Sequence, residues 1–265
     1  MDISTVVLSS IITIITVVGI SVNSTVLLSV WRGGLLRPTE SSVYLISFQH
    51  IIVDNILFAA SAVFYIPVFI TQTYIYGDRT TLTNRVVSAV LCFSWYYACA
   101  AQFLMAFNRL SVIFASRLLM SRKTIIIILI ALHPSCFAFT IFTKFLLPCS
   151  AFVIEPTIFT FMFVPEPACN GTAKVDLYVD LPINAATSVI CGSAYALIFG
   201  YILRHRKALS MQAEGSAQRR KEMGFAISYF IMFAVFTGAW MTLRVLPVVL
   251  AQGGGTPPVS SDNLD

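Results

Sequence analysis

Between Arg85 and Arg109 the chain carries no charged side chain. Wound as a helix at about 1.5 Å per residue, Val86–Phe107 is long enough to cross a hydrocarbon layer ~30 Å thick. Comparable apolar stretches recur at residues 3–30, 41–66, 124–147, 177–203 and 222–251, with the central one covering 86–108. Hydrophobic residues make up 57% of the chain, charged residues only 11%, and mean hydropathy is +0.84. Soluble domains carry about 25% charged residues, so this chain cannot cover a water-facing surface and is solvated mainly by lipid.

The expected fold is an all-α integral membrane protein, a bundle over residues 1–251 with six spans evident. The chain of 265 residues leaves no room for a separate soluble domain. Residues 252–265 are rich in Gly, Pro, Ser and Asp and read as a disordered tail, with no seventh apolar stretch after residue 251. The net charge of +5 resides in loops rather than in a basic patch with interleaved aromatics, so no nucleic-acid partner is expected. Asp2 precedes the first apolar stretch without a basic segment, which predicts a retained anchor rather than a cleaved signal peptide.

Polar residues inside these stretches are the candidate functional positions. Gly19 and Asn23 share one face of the first span, where a small residue admits a neighbouring helix and an amide can bond to it. His50 and Asp54 stand one turn apart in the second span, with Asp54 close to mid-membrane. Asn23, His50 and Asp54 therefore form a candidate intramembrane polar centre, read either as helix-packing glue or as a switch centre. Pro67 is expected to stop the second span, and Pro134, beside His133, to kink the fourth. His133 has no second ligand one turn away, so it reads as a packing residue and no metal site is expected.

The longest loop, Pro148–Asp176, contains Cys149, Cys169 and the sequon Asn170-Gly171-Thr172. A usable sequon beside two cysteines suggests an oxidising, non-cytoplasmic face, with glycosylation at Asn170 and a Cys149–Cys169 bridge as the economical pairing. Sequence alone leaves that pairing open. Cys92, Cys99, Cys136 and Cys191 fall inside spans and read as small buried hydrophobes.

Placing the loops after spans one, three and five on the cytoplasmic side collects twelve of the 17 Lys and Arg residues there. This obeys the positive-inside rule and puts the N-terminus and the sequon loop outside. Arg109 then ends span three at the cytoplasmic boundary, where an Arg can simply snorkel to headgroups.

Several segments together resemble a rhodopsin-like serpentine receptor, specifically the nematode chemoreceptors called serpentine receptor class X. They are Gly19-Ile20-Ser21-Val22-Asn23-Ser24, Asp54, Phe107-Asn108-Arg109-Leu110, the run from Cys149 through Phe163 and Cys169 to Tyr178-Val179-Asp180, and Arg219-Arg220-Lys221-Glu222. The resemblance covers about residues 15–250. It implies a multi-pass plasma-membrane receptor that binds a small extracellular molecule and activates a heterotrimeric G protein. It also implies that Asn108, Arg109 and Glu222 form the coupling switch. Most of the superfamily has an acid where Asn108 stands, which leaves Glu222 as the expected partner of Arg109. Span three has no outer Cys, span four lacks the usual Trp, and Thr242 stands where a kinking Pro is usual.

Trp95 and Tyr96, about 20 Å above Arg109 by helical rise, and Trp240, with Arg244 one turn beyond it, are the candidate ligand-pocket residues. A truncated or decayed, non-signalling receptor product is the alternative function. A transporter is disfavoured by the absence of internal repeats and paired broken helices. Nothing in the chain supplies a nucleophile–base pair or a metal motif, so no catalytic residue and no cofactor is expected.

Overall fold

The structure is a computed structural model that describes residues 3–75, 77, 81–114, 121–147, 152–155, 160–163, 176–210, 224, 227–228, 230–231, 233–238 and 241–242. The chain divides into two compact units, Met1–Gly200 and Tyr201–Asp265. The helices are α1 (Ile3–Arg32), α2 (Ser42–Ala60), α3 (Ile66–Thr71), α4 (Leu82–Phe114), α5 (Arg122–Ile141) and α6 (Leu181–Ser210). Among the described residues, five helical segments are long and apolar enough to cross a membrane: Thr5–Arg32, Ser42–Thr71, Leu82–Val112, Arg122–Leu146 and Tyr178–Tyr201. In the second unit the described residues of 224–242 are helical, and the Thr242 hydroxyl donates to the Gly238 carbonyl at 2.9 Å.

The first helix inverts the pattern of a soluble one. Over Thr5–Gly19 its buried positions are Thr5, Ser9 and Thr16, in register with Ile12 and Gly19, while Ile14, Ile15, Val17 and Val18 point outward and are more than half exposed; Val30 is buried near the helix end. Small residues turned inward let helices approach closely, and large apolar ones turned outward meet lipid. A Cβ added at Gly19 would lie 2.7 Å from Cζ of Phe58, so the bare Gly19 backbone is what seats that ring between α1 and α2.

The second span does not stop at Pro67. A wider turn, Ser61–Tyr65, joins α2 to α3, with the Ile66 N–H bonding to the Ser61 carbonyl, and helix continues to Thr71. A proline within a helix has no N–H to donate, and its ring collides with the carbonyl four residues back. An extra residue in the preceding turn absorbs both problems. Asp176–Asp180 repeats this device two residues before Pro182, where α6 begins, whereas the wide turn Phe142–Leu146 ends its helix at an extended Leu147. Pro134 is treated differently, since α5 runs through it to Ile141.

The third span is the axis of the first unit. Of its most apolar stretch, 61% is buried, against 17–33% in the other four spans. It packs against α2 and α5, and α1 covers α2 and α3. One cluster at the heart of the bundle joins Val53 of α2, Tyr97 and Ala101 of α4 and Cys136 of α5. Phe64, Tyr65, Val68 and Phe69 form another, against Ile12, Val87 and Leu91, and the Tyr65 hydroxyl donates to the Val87 carbonyl at 3.1 Å. On α6, Cys191, Ala194, Tyr195 and Ile198 recur at helical spacing and are buried, while Val189, Ile190 and Leu197 are exposed. Cys92, Cys99, Cys136 and Cys191 are buried free thiols, as their positions inside spans predict.

One feature lies outside the helical pattern. Strands β1 (Phe152–Glu155) and β2 (Thr160–Phe163) pair antiparallel, with Phe152 opposite Phe163 and Glu155 opposite Thr160, and β1 packs on α4. This hairpin falls in the long loop, whose prolines suggest turns but whose strands carry no apolar–polar alternation to reveal them.

Candidate functional site

At the end of the bundle that holds the start of α4, three spans meet through charged and polar side chains. Lys144, in the last turn of span four, is 5% exposed, and its Nζ lies 3.3 Å from Oδ2 of Asp180. The Tyr96 hydroxyl of α4 donates to the other carboxylate oxygen, Oδ1, at 2.5 Å. The Lys144 ammonium also stands 5.9 Å from the centre of the Tyr96 ring, within cation–π range. One turn into α6, Asn184 donates to the Asp180 carbonyl at 2.7 Å and accepts the Trp95 indole N–H at 2.8 Å. The Lys144 carbonyl accepts from Arg85 at 3.2 Å, and the Arg85 guanidinium lies 5.5 Å over the Phe145 ring.

The helix ends explain this convergence. The wide turn Phe142–Leu146 brings Thr143 and Lys144 inward, where both are buried. The wide turn Asp176–Asp180 delivers Asp180 to the same depth. Removing two ions from water costs several kcal/mol each, so a pair at this depth persists only with its remaining valences satisfied. Here Tyr96 serves both ions, its hydroxyl bonding to the Asp180 carboxylate and its ring facing the Lys144 ammonium.

Two further polar sites occupy the described residues. His50, 4% exposed, places Nε2 3.7 Å from Oδ1 of Asp54 on the next turn of α2. Asn23 is half-buried on α1. At the far end of α4, Asn108 and Arg109 are each 1% exposed, and Arg109 is the largest of the fully buried side chains among the described residues. Protein encloses the guanidinium, so Arg109 does not snorkel. Nearby, Arg122 ties the start of α5 to the first loop by donating to the carbonyls of Leu36 and Glu40. His133 packs its ring 4.7 Å from that of Tyr97, and its Nδ1 lies 3.0 Å from the Leu129 carbonyl, in keeping with a packing role.

The sequence-selected positions therefore separate. Trp95 and Tyr96 belong to the Lys144–Asp180 network, His50 and Asp54 pair with each other, and Asn108 and Arg109 lie at the opposite end of α4. Glu222, Trp240, Arg244, Cys149, Cys169 and Asn170 lie outside the described residues. The sequence does not single out Lys144 or Asn184, and Asp180 enters only within Tyr178-Val179-Asp180, one of the segments that carry the resemblance. The available signal was a Lys near the end of one apolar stretch and an Asp near the start of the next.

Apolar helices with lipid-suited exteriors and polar networks turned inward define a multi-pass α-helical membrane protein. More particularly, the profile of the family described as "Serpentine type 7TM GPCR chemoreceptor Srx" matches residues 13–249, and the chain belongs to that family of serpentine chemoreceptors. A search of curated proteins finds no match.

Proposed function

We propose that this protein is a chemosensory receptor of the plasma membrane. Its N-terminus is outside, it binds a small extracellular molecule, and it activates a heterotrimeric G protein. The observation that carries the reading is membership of a chemoreceptor family over residues 13–249. The skew of Lys and Arg towards the loops after spans one, three and five supports the orientation. In this reading Arg109 is the cytoplasmic switch residue and Glu222 its resting partner.

Because Arg109 is 1% exposed, its pairing with a carboxylate is a buried contact and not a screened surface one, so the states differ in whether the guanidinium is compensated. A shift of ~1.4 kcal/mol raises a minor active state about tenfold, which bounds the gain. The test is nucleotide exchange on G protein in membranes from cells expressing the receptor. Glu222→Gln raises basal exchange and Arg109→Ala abolishes it. If both variants reach the surface and exchange nucleotide as the parent does, the switch reading is wrong.

A further inference from the structure

The Lys144–Asp180 pair is asymmetric in a way that bears on what it can bind. The Lys144 side chain is 4% exposed and that of Asp180 is 16% exposed, so an approaching molecule meets the carboxylate rather than the ammonium. A carboxylate offers about four lone-pair positions. At Asp180 the Tyr96 hydroxyl takes one on Oδ1 at 2.5 Å and the Lys144 ammonium one on Oδ2 at 3.3 Å, which leaves acceptor capacity on a side chain that is partly exposed. The neighbouring donors are committed: the Trp95 indole N–H goes to Asn184 and the Tyr96 O–H to Asp180. Beside the buried Thr143 and Asn184 the surroundings include aromatic rings, with Phe139 edge-on to Tyr96 at 5.0 Å between ring centres.

We propose that Asp180, held by Lys144 and Tyr96, is the polar anchor of a ligand site between spans three, four and five. The site selects a small uncharged molecule that combines a hydrogen-bond donor with an apolar body. The proposal rests on the receptor reading above and names the ligand class. The reason is charge balance. Lys144 and Asp180 sum to zero, so a neutral donor adds to Asp180 without disturbing the pair. A carboxylate ligand must pull Lys144 away and strand Asp180, and an amine bound at Asp180 is brought close to a buried ammonium. Either route breaks or opposes a buried pair, a heavier penalty than the gain from one new contact. A ligand offering only acceptors finds the Trp95 and Tyr96 donors already engaged.

The test uses the purified full chain in lipid nanodiscs and three probes of one shape: benzyl alcohol, benzoate and benzylamine. Thermal unfolding is followed at matched probe concentrations. Benzyl alcohol raises the midpoint by roughly 2–4 °C and the two ions do not. In the double variant Lys144→Met with Asp180→Leu, which replaces the pair by apolar groups, the benzyl alcohol shift is lost. Tyr96→Phe gives a second reading that does not depend on that variant folding. It frees a further lone pair on Asp180, and the benzyl alcohol concentration for half-maximal shift falls severalfold. The proposal is overturned by no shift with benzyl alcohol, by an equal or larger shift with either ion, by a shift that survives the double substitution, or by a Tyr96→Phe response equal to the parent's. The assay contains no G protein, so its failure leaves the exchange test on Arg109 standing, and failure of that test leaves this one standing.

Discussion

Lys144 and Asp180 stand 36 residues apart in the chain, and their side chains close to 3.3 Å within the bundle. The end of the fourth span and the entry to the fifth are therefore fastened by opposite charges, with Tyr96 of the third span bonded to the same carboxylate.

Removing one member of this pair leaves the other buried and uncompensated. Lys144→Met and Asp180→Leu should each destabilise the protein by about 3–5 kcal/mol, whereas the double substitution should come within about 1 kcal/mol of the parent or exceed it. Thermal unfolding of the three variants in nanodiscs checks this. Single substitutions with parental stability would show that the pair is solvated rather than buried.

Gly19 and Phe58 are matched in shape. Gly19→Val introduces atoms where even a Cβ lies 2.7 Å from the ring, and overpacking of this kind costs about 1–3 kcal/mol. Adding Phe58→Ala to Gly19→Val should recover part of that loss, because the two positions are in contact and their effects do not add. A double variant whose loss equals the sum of the two single losses would separate the positions energetically.

The bond from Trp95 to Asn184 ties α4 to α6. Trp95→Phe keeps an aromatic ring but leaves the Asn184 oxygen short of a donor, and Asn184 is 2% exposed. The expected loss is about 1–3 kcal/mol. Asn184→Leu in the Trp95→Phe background should cost less than Asn184→Leu alone. Chemical unfolding across the four-member cycle measures the coupling, and a coupling of zero would remove the bond from the account.

Orientation is tested through the long loop. Asn170 should carry a glycan, and Cys149 and Cys169 should be oxidised to each other. Glycosidase digestion should increase gel mobility of the parent and leave Asn170→Gln unchanged, and peptide mapping without reduction should recover the linked cysteines. Unaltered mobility of the parent would count against an outside placement of this loop.

An apolar stretch is readable as a helix from its own residues because lipid imposes a local rule. Every backbone polar group must be satisfied within its own segment, so an uncharged stretch of sufficient length is already a helix. Val86–Phe107 shows this: α4 contains it whole and extends beyond both ends. Pro67 shows where a local rule misleads. Proline alone argues for a stop, but the wide turn Ser61–Tyr65 relieves its clash and the helix continues to Thr71.

Which residues meet inside the bundle was not readable in this way. Trp95 and Tyr96 stood out as aromatics at a suitable height, but their partners Asn184 and Asp180 lie on another helix, more than 80 residues on. Arg109 marks the end of a span in sequence, yet its burial depends on what surrounds that end. Hydropathy and helical rise are properties of a single segment and determine length, depth and the residues that share a face. The rotation of each helix about its axis, and hence whether Lys144 faces headgroups or Asp180, follows from packing between segments distant in the chain, and the folded structure alone resolves it.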